Sequence, residues 1–486
     1  MNIFEKTFLT LFLSLFIMIS IQNNLVNAEN TFAQVVEGFD WGPCVTKMII
    51  HLDNQITVGS EEGKLDSTAF SVLTTLEGYT YSTDLTDLTP IKANIEQVRT
   101  VENAYTSDEK GNYIKETTNY ITLELLCNPK IGNPFIYNNQ TLVNEWSDPY
   151  TSVITLTKDV TSGTTTLTST DFSVNQQPTK NFNILIDDVF TINITHTVDQ
   201  NLTYGYYKCT NTTNKGLLIW IHGMGEGGTD NKIVLYGNKV TALANTTIQG
   251  DLKNNCDILV VQTPTFWLDL SKKGKEIYSP EIYTETFKSL VDKYVSENNI
   301  AKDRIYIGGC SMGGFMTMNM LLNYPTYFAA AYFAAEAYKD EYISDEQIQS
   351  IKNIPMWFIH AENDGTVNIS LHTNATYKRL QDAGATDLHY SHYDNVVDTS
   401  RKYDVDGAQY EYNGHWSWIY LFNDECKDGD ETVFTWIVKQ TNPNVKDDSN
   451  TSNASKSDVS DDSSSYSFWF NKISILVSLF IFIFIF

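Results

Sequence analysis

The sequence predicts an all-β sandwich followed by a larger α/β domain on a mainly parallel sheet, and three observations carry that prediction. Residues 29–180 are rich in Thr, Ser, Val and Tyr, with short alternating runs such as VTKMIIHL, AFSVLTTL, NYITLELL and SVITLTKDV between clusters of Gly, Asn, Asp and Ser. Residues 181–440 instead alternate apolar runs (LLIWIHG, DILVVQTP, RIYIGG, FAAAYFAA, PMWFIHA) with stretches of helical period such as IYTETFKSLVDKYVSEN and MGGFMTMNMLLNY. Both ends of the chain change composition sharply.

Each part has a physical reason. Short, turn-punctuated strands without a long helical period describe a sandwich of immunoglobulin-like type. Strand–helix alternation describes right-handed βαβ units whose sheet is covered on both faces, and about 260 residues are ample for one such domain.

The N-terminus has Lys6, an apolar run from Phe8 to Ile21 and the small-residue site Val26-Asn27-Ala28, which reads as a secretory signal over residues 1–28. The C-terminus passes from a polar low-complexity linker, 441–471, into an apolar tail, 472–486, with nothing basic behind it. That pattern describes a glycosylphosphatidylinositol (GPI) attachment signal, with the site in Asp461–Ser465, rather than a membrane span.

Export agrees with nine N-x-Ser/Thr triplets, at Asn139, Asn193, Asn201, Asn211, Asn245, Asn368, Asn374, Asn450 and Asn453. Six cysteines in 486 residues, with no C-x-x-C spacing, leave room for one or two disulfides of undetermined pairing and point to no metal. A net charge of −26 opposes nucleic acid as a partner.

The chemistry gathers around Gly309-Cys310-Ser311-Met312-Gly313, which fits G-x-S-x-G between an apolar strand and a helix-forming run. A sharp strand-to-helix turn there lifts the central serine above the sheet and sends Cys310 inward as a small buried thiol. Serine needs a base and an orienting acid, in the chain order Ser, Asp/Glu, His. After PMWFIHA comes Glu362-Asn363-Asp364-Gly365, so Asp364 is the candidate acid and Glu362 its runner-up. Of His372, His389, His392 and His415, the last lies in the irregular loop YNGHWSW, which suits a base that reaches over the serine.

Acyl transfer also needs donors to a developing oxyanion. The Met312 N–H at the start of the helix is one candidate, and the Met224 N–H in the turn of IHGMGEGGTDN is the other. Gly223, Gly225 and Gly228 in that loop also satisfy G-x-G-x-x-G. The next strand, however, ends in Gln262-Thr263-Pro264 rather than in an acid, which argues against a dinucleotide. Trp267 and Trp416, with Trp418, are candidates for the substrate pocket.

With these pieces assembled, the second half resembles α/β-hydrolase esterases grouped with predicted peptidases and polyhydroxybutyrate depolymerases, in the prolyl-oligopeptidase-type clan. The matching stretches are IHGMGEGGTDN, DRIYIGGCSMGGF, YPTYFAAAYFAAEA, IPMWFIHAENDGTV and NGHWSWIYLFN. The resemblance implies an α/β-hydrolase fold with Ser311, Asp364 and His415 as nucleophile, acid and base. Some members of that group carry an immunoglobulin-like domain in front, and WGPCVTKMIIHLD looks like its first strand. The chain departs from the group at Gly227, where an arginine often follows the glutamate of HG-x-G-E.

The expected function is a secreted, surface-anchored serine hydrolase of carboxyl esters that needs no cofactor and no metal. A serine peptidase on the same machinery, and a catalytically silent glycan- or partner-binding surface protein, are the alternatives. Oligomeric state is not readable from the sequence.

Overall fold

The computed structural model describes residues 30–81, 90–138, 141–170, 172–175, 182–184, 189–268 and 282–445. The expected signal, most of the polar linker, the apolar tail and the sequons at Asn139, Asn450 and Asn453 lie outside the described residues. Among the described residues, no helix is long and apolar enough to cross a membrane.

The all-β part contains β1 (Thr31–Phe39), β2 (Gly42–Ile56), β3 (Phe70–Tyr81), β4 (Pro90–Arg99), β5 (Val101–Ser107), β6 (Thr118–Leu125), β7 (Phe135–Asn138), β8 (Val143–Trp146) and β9 (Tyr150–Leu156). One sheet runs β1-β2-β6-β5, with the short strands Phe182–Ile184 and Lys64–Leu65 at its edges; the other runs β9-β3-β4, edged by Ser173–Asn175. β7 and β8 form a separate hairpin. The inward residues of each strand are apolar and buried, Val45, Met48 and Ile50 on β2 and Ile121 and Leu123 on β6, as the alternating runs anticipate. Cys44 and Cys127 form a disulfide, whereas Cys209, Cys256, Cys310 and Cys426 are free and buried. Because Phe182–Ile184 pairs with β1, this part extends beyond the boundary expected at residue 180.

The second part is an eight-stranded sheet of β10 (Thr191–Thr197), β11 (Asn201–Tyr207), β12 (Lys215–Ile221), β13 (Cys256–Gln262), β14 (Ile300–Cys310), β15 (Ala330–Ala334), β16 (Met356–Ala361) and β17 (Leu388–Tyr393). Its order is β10-β11-β13-β12-β14-β15-β16-β17. The first two strands are antiparallel additions and the other six are mutually parallel.

Strands such as β12 are buried along their whole length because helices cover both faces, which is why they read as unbroken apolar runs. Leu217, Ile219 and Ile221 share one core with α2 (Thr284–Glu297) and α3 (Met312–Asn323), between β13 and β15 in the chain, and with Leu380 of α4 (Thr373–Asp382). Leu218 and Trp220 point the other way, toward α1 (Asn231–Gly237), α5 (Trp418–Phe422) and α6 (Val433–Ile437). That second core is continuous with the interior of the all-β part, through Val36, Val45 and Ile121. The folded unit also runs past residue 440: Asn442 N–H donates to Asp303 O (2.8 Å), and its side chain donates to Thr326 O (2.9 Å).

Candidate active site

Loops that follow β12, β14, β16 and β17, at the carboxyl ends of the parallel strands, supply the candidate groups, and carboxyl ends are where ligands gather in open α/β sheets. β14 runs into Ser311, which holds φ 53° and ψ −115° and caps the start of α3. A non-glycine residue in that region is strained, and the surroundings hold it there. Ser311 N–H donates to Ala334 O, and Phe315 N–H donates to Ser311 O, both at 2.9 Å.

The flanking glycines serve closeness rather than positive φ. A Cβ at Gly313 would fall 2.0 Å from Ile221 O. Only hydrogen there lets the helix press against the end of β12. Cys310 is fully buried with Asn238 Nδ2 directed at its sulfur (3.6 Å), and burial holds its thiol far above the usual range.

Asp364 follows β16 and is buried. Its Oδ1 accepts the N–H groups of Thr366 (2.7 Å) and Val367 (2.9 Å), and its Oδ2 accepts His415 Nδ1–H (2.7 Å) and His360 Nε2–H (2.9 Å). Burial opposes ionisation, but the hydrogen bonds from the two imidazoles and from Val367 N–H win, and the carboxyl sits well below its usual range. His415 is reached by the loop before α5. Its backbone N–H donates to Asn413 Oδ1 (2.9 Å), and its ring meets Trp418 edge to face at 5.4 Å.

His360, the penultimate residue of β16, was missed because a histidine inside MWFIHA reads as one more strand residue. Its position four residues before Asp364 was the available signal. The Asp364 carboxylate only accepts, so His360 gives it Nε2–H (2.9 Å), and in the neutral ring Nδ1 is left to accept from Thr373 Oγ1–H (2.8 Å). Burial lowers its pKa despite the neighbouring carboxylate, so it serves as a neutral donor.

The other candidates fall elsewhere. Glu362 is exposed and pairs with His392 (2.9 Å); His389 bridges Asp387 (3.0 Å) and Asp428 (2.7 Å); His372 donates to Asn368 O (2.8 Å) at the start of α4. Trp267 is not a pocket residue. It is fully buried against Tyr283 and Phe287 and donates to His222 O (3.0 Å), since the chain after β13 folds under α2. Trp418 is likewise a packing residue, while Trp416 is partly exposed beside Tyr412. Of the described sequons, Asn193, Asn201, Asn211, Asn245 and Asn368 are exposed, and Asn374 is half-buried with its Oδ1 accepting from Tyr390 OH (2.7 Å).

Met224 opens a single 3-10 turn, Met224–Glu226, after β12, and both Met224 and Met312 are partly exposed. Glu226 is buried beneath that turn, and burial pushes its carboxyl up to about 7. Gly227 has a steric reason: a Cβ there would lie 1.5 Å from Thr265 O, so the arginine of the resembling group has no room in this backbone. Gln262, where a dinucleotide site would need an acid, donates to Glu226 O (2.9 Å) and accepts from Asn231 (3.3 Å).

A cavity of about 490 Å3 lined by Phe39, Trp41, Lys239 and Tyr403 shares no residue with Ser311, Asp364 or His415. Among the described residues, no group of three or more His, Cys, Asp or Glu side chains could hold a metal ion.

Residues 32–185 match a family described as the esterase Ig-like N-terminal domain, and residues 207–402 match one described as phospholipase/carboxylesterase. Residues 207–402 are thus a carboxylesterase-type α/β-hydrolase region, and residues 32–185 ahead of them an esterase immunoglobulin-like domain. Among solved structures, a thermostable esterase is 21% identical with a TM-score of 0.66, over 85% of this chain and all of that one. A ferulic acid esterase is 12% identical with a TM-score of 0.36, over 51% of this chain and 98% of that one. An acetyl xylan esterase from Aspergillus awamori is 17% identical with a TM-score of 0.30, over 40% of this chain and 79% of that one. No curated protein matches the chain. The hydrolase fold and the immunoglobulin-like domain expected from the sequence are therefore both present.

Proposed function

We propose that this hydrolase cleaves carboxyl esters with Ser311 as nucleophile, His415 as general base and Asp364 as the group that orients and charges the base. The observation that carries the reading is the 2.7 Å hydrogen bond from His415 Nδ1 to Asp364, made across 51 residues of chain, taken together with the strained strand-to-helix turn that holds Ser311. A proton on Nδ1 leaves Nε2 as the basic nitrogen. It takes the Ser311 proton as the oxygen attacks the ester carbonyl, and the carboxylate stabilises the imidazolium that forms. The base then returns the proton to the departing alkoxide. Water attacks the acyl-enzyme through the same base, and the acid is released.

Negative charge on the carbonyl oxygen is met by the N–H groups of Met312 and Met224. Met312 has no partner one turn back, as at any helix start, and each such donor contributes about 100- to 1,000-fold in rate. The N-terminal signal and apolar tail support an exported, GPI-anchored enzyme, and release from cells by a phosphatidylinositol-specific phospholipase tests the anchor.

Labelling of the purified protein with a fluorophosphonate, with the adduct mapped by peptide mass, tests the chemistry. An adduct on Ser311 that survives Cys310→Ala and vanishes in Ser311→Ala supports the reading. A folded protein that takes no label overturns it and favours the binding protein. Faster cleavage of a peptide anilide than of a p-nitrophenyl ester would favour the peptidase.

A further inference from the structure

The hairpin β7–β8 belongs by sequence to the all-β domain, yet it lies against the loop after β12. Trp146 Nε1–H donates to Asp230 Oδ2 (3.0 Å), and Asn144 Nδ2–H donates to Glu226 Oε1 (3.5 Å). Between these two contacts, a Cβ at Gly227 would meet Val143 Cγ1 at 3.1 Å, and a Cβ at Gly225 would meet the Asn144 amide at 3.2 Å. The far side of the same loop is tied to the hydrolase sheet, by Gly228 N–H to Thr263 O (2.8 Å) and by Gln262 to Glu226 O (2.9 Å). The loop is thus gripped on two sides.

It needs such a grip. Gly223, Gly225, Gly227 and Gly228 leave it little intrinsic preference for one backbone conformation, and a single 3-10 turn provides little cooperative stiffness. A donor amide stabilises an oxyanion only if it is held in place before the charge develops. Asp230 extends the grip, because its other oxygen accepts Lys232 N–H (3.1 Å) at the start of α1.

We propose that Asn144 and Trp146 are positioning residues that fix the turn bearing the Met224 amide, so that the immunoglobulin-like domain sets catalytic rate without touching substrate. The inference rests on the reading of Met224 as an oxyanion donor.

The test uses the full mature protein, p-nitrophenyl acetate as substrate and fluorophosphonate labelling of Ser311. It compares Asn144→Ala, Trp146→Phe and their combination with wild type and with Lys115→Ala, a surface change elsewhere in the same domain. Trp146→Phe keeps a ring against Phe135, which Trp146 meets edge to face at 4.6 Å, while it removes the N–H donor and part of the ring's volume. Each protein is assayed well below its own melting midpoint.

Each single variant is expected to lower kcat about tenfold, part of the loss from deleting a donor outright, with KM within about twofold. The double variant should fall further, its labelling should slow in parallel, and Lys115→Ala should match wild type. A double variant that melts earlier but keeps wild-type kcat and labelling rate shows a purely structural hairpin and overturns the proposal alone. Absence of a Ser311 adduct in wild type overturns the functional reading, and this inference with it.

Discussion

Replacing Asp364 by Asn tests the site most sharply, because the surroundings of that carboxylate leave the amide no good orientation. Oδ1 faces two backbone donors and Oδ2 faces two imidazole donors. An asparagine can satisfy one pair only by presenting its NH2 group to the other. With its oxygen on Thr366 and Val367, the NH2 faces His415 Nδ1, which must then lose its proton and accept. The proton moves to Nε2, toward Ser311, and the base is gone. With the amide reversed, its NH2 confronts two main-chain N–H groups, and the fold loses two hydrogen bonds of about 1.5–3 kcal/mol each. The first orientation costs about 10,000-fold in kcat, roughly 5 kcal/mol of barrier. Hydrolysis of p-nitrophenyl acetate by Asp364→Asn and by Glu362→Gln, with melting curves for both, decides the matter. A folded Asp364→Asn within tenfold of wild type would refute the assignment, and so would a large loss in Glu362→Gln.

Further predictions follow from the same geometry. His360→Ala leaves Asp364 one donor short in a buried site, so kcat should fall about tenfold and guanidinium unfolding should show a loss of about 2 kcal/mol or more. Glu226 has a raised folded pKa, so its burial is cost-free below the unfolded value near 4.5 and increasingly costly as pH rises through about 7. Glu226→Gln removes that titration, and its stability relative to wild type should improve by up to about 3 kcal/mol between pH 4.5 and 8 in denaturant melts. Asp364 has the opposite sign: its contribution is present above pH 4 and is lost as acid protonates it. Gly227→Ala, which drives a methyl into Thr265 O, should cost at least the ~1–3 kcal/mol of an overpacked core; an unchanged melting midpoint would contradict the packing described. Removing the Cys44–Cys127 bridge, which spans 83 residues, should cost about 4.5 kcal/mol by loop-closure entropy.

The sequence exposed whatever depends on local pattern. Runs such as LLIWI are apolar throughout because their strands are covered on both faces, so the parallel sheet was readable from strand–helix alternation. The strand-to-helix turn at Ser311 was legible because a strand, glycines and a helix-forming run stand in the order it requires. Asp364 and His415 stood out because each lies in a loop rather than a periodic segment, and the structure joins them by a hydrogen bond. Contacts between distant segments were hidden. Nothing in TINITHT announced that β10 and β11 would add antiparallel strands to the sheet edge. Nothing near Trp267 said that the chain would tuck beneath α2, since an aromatic after a strand looks the same whether it lines a pocket or fills a core. The grip of Trp146 on Asp230 joins residues 84 apart through a single hydrogen bond, and no period or motif encodes it.

The apolar interior that runs from Val45 of the sandwich to Trp220 of the hydrolase sheet predicts that the two domains unfold together, as one cooperative unit. Heating should give one calorimetric transition rather than two. A hydrolase fragment started near residue 189 would bare an apolar face that water cannot accommodate, so it should aggregate rather than act as a smaller enzyme. For anyone shortening or fusing this protein, the seam between its two architectures is therefore the wrong place to cut.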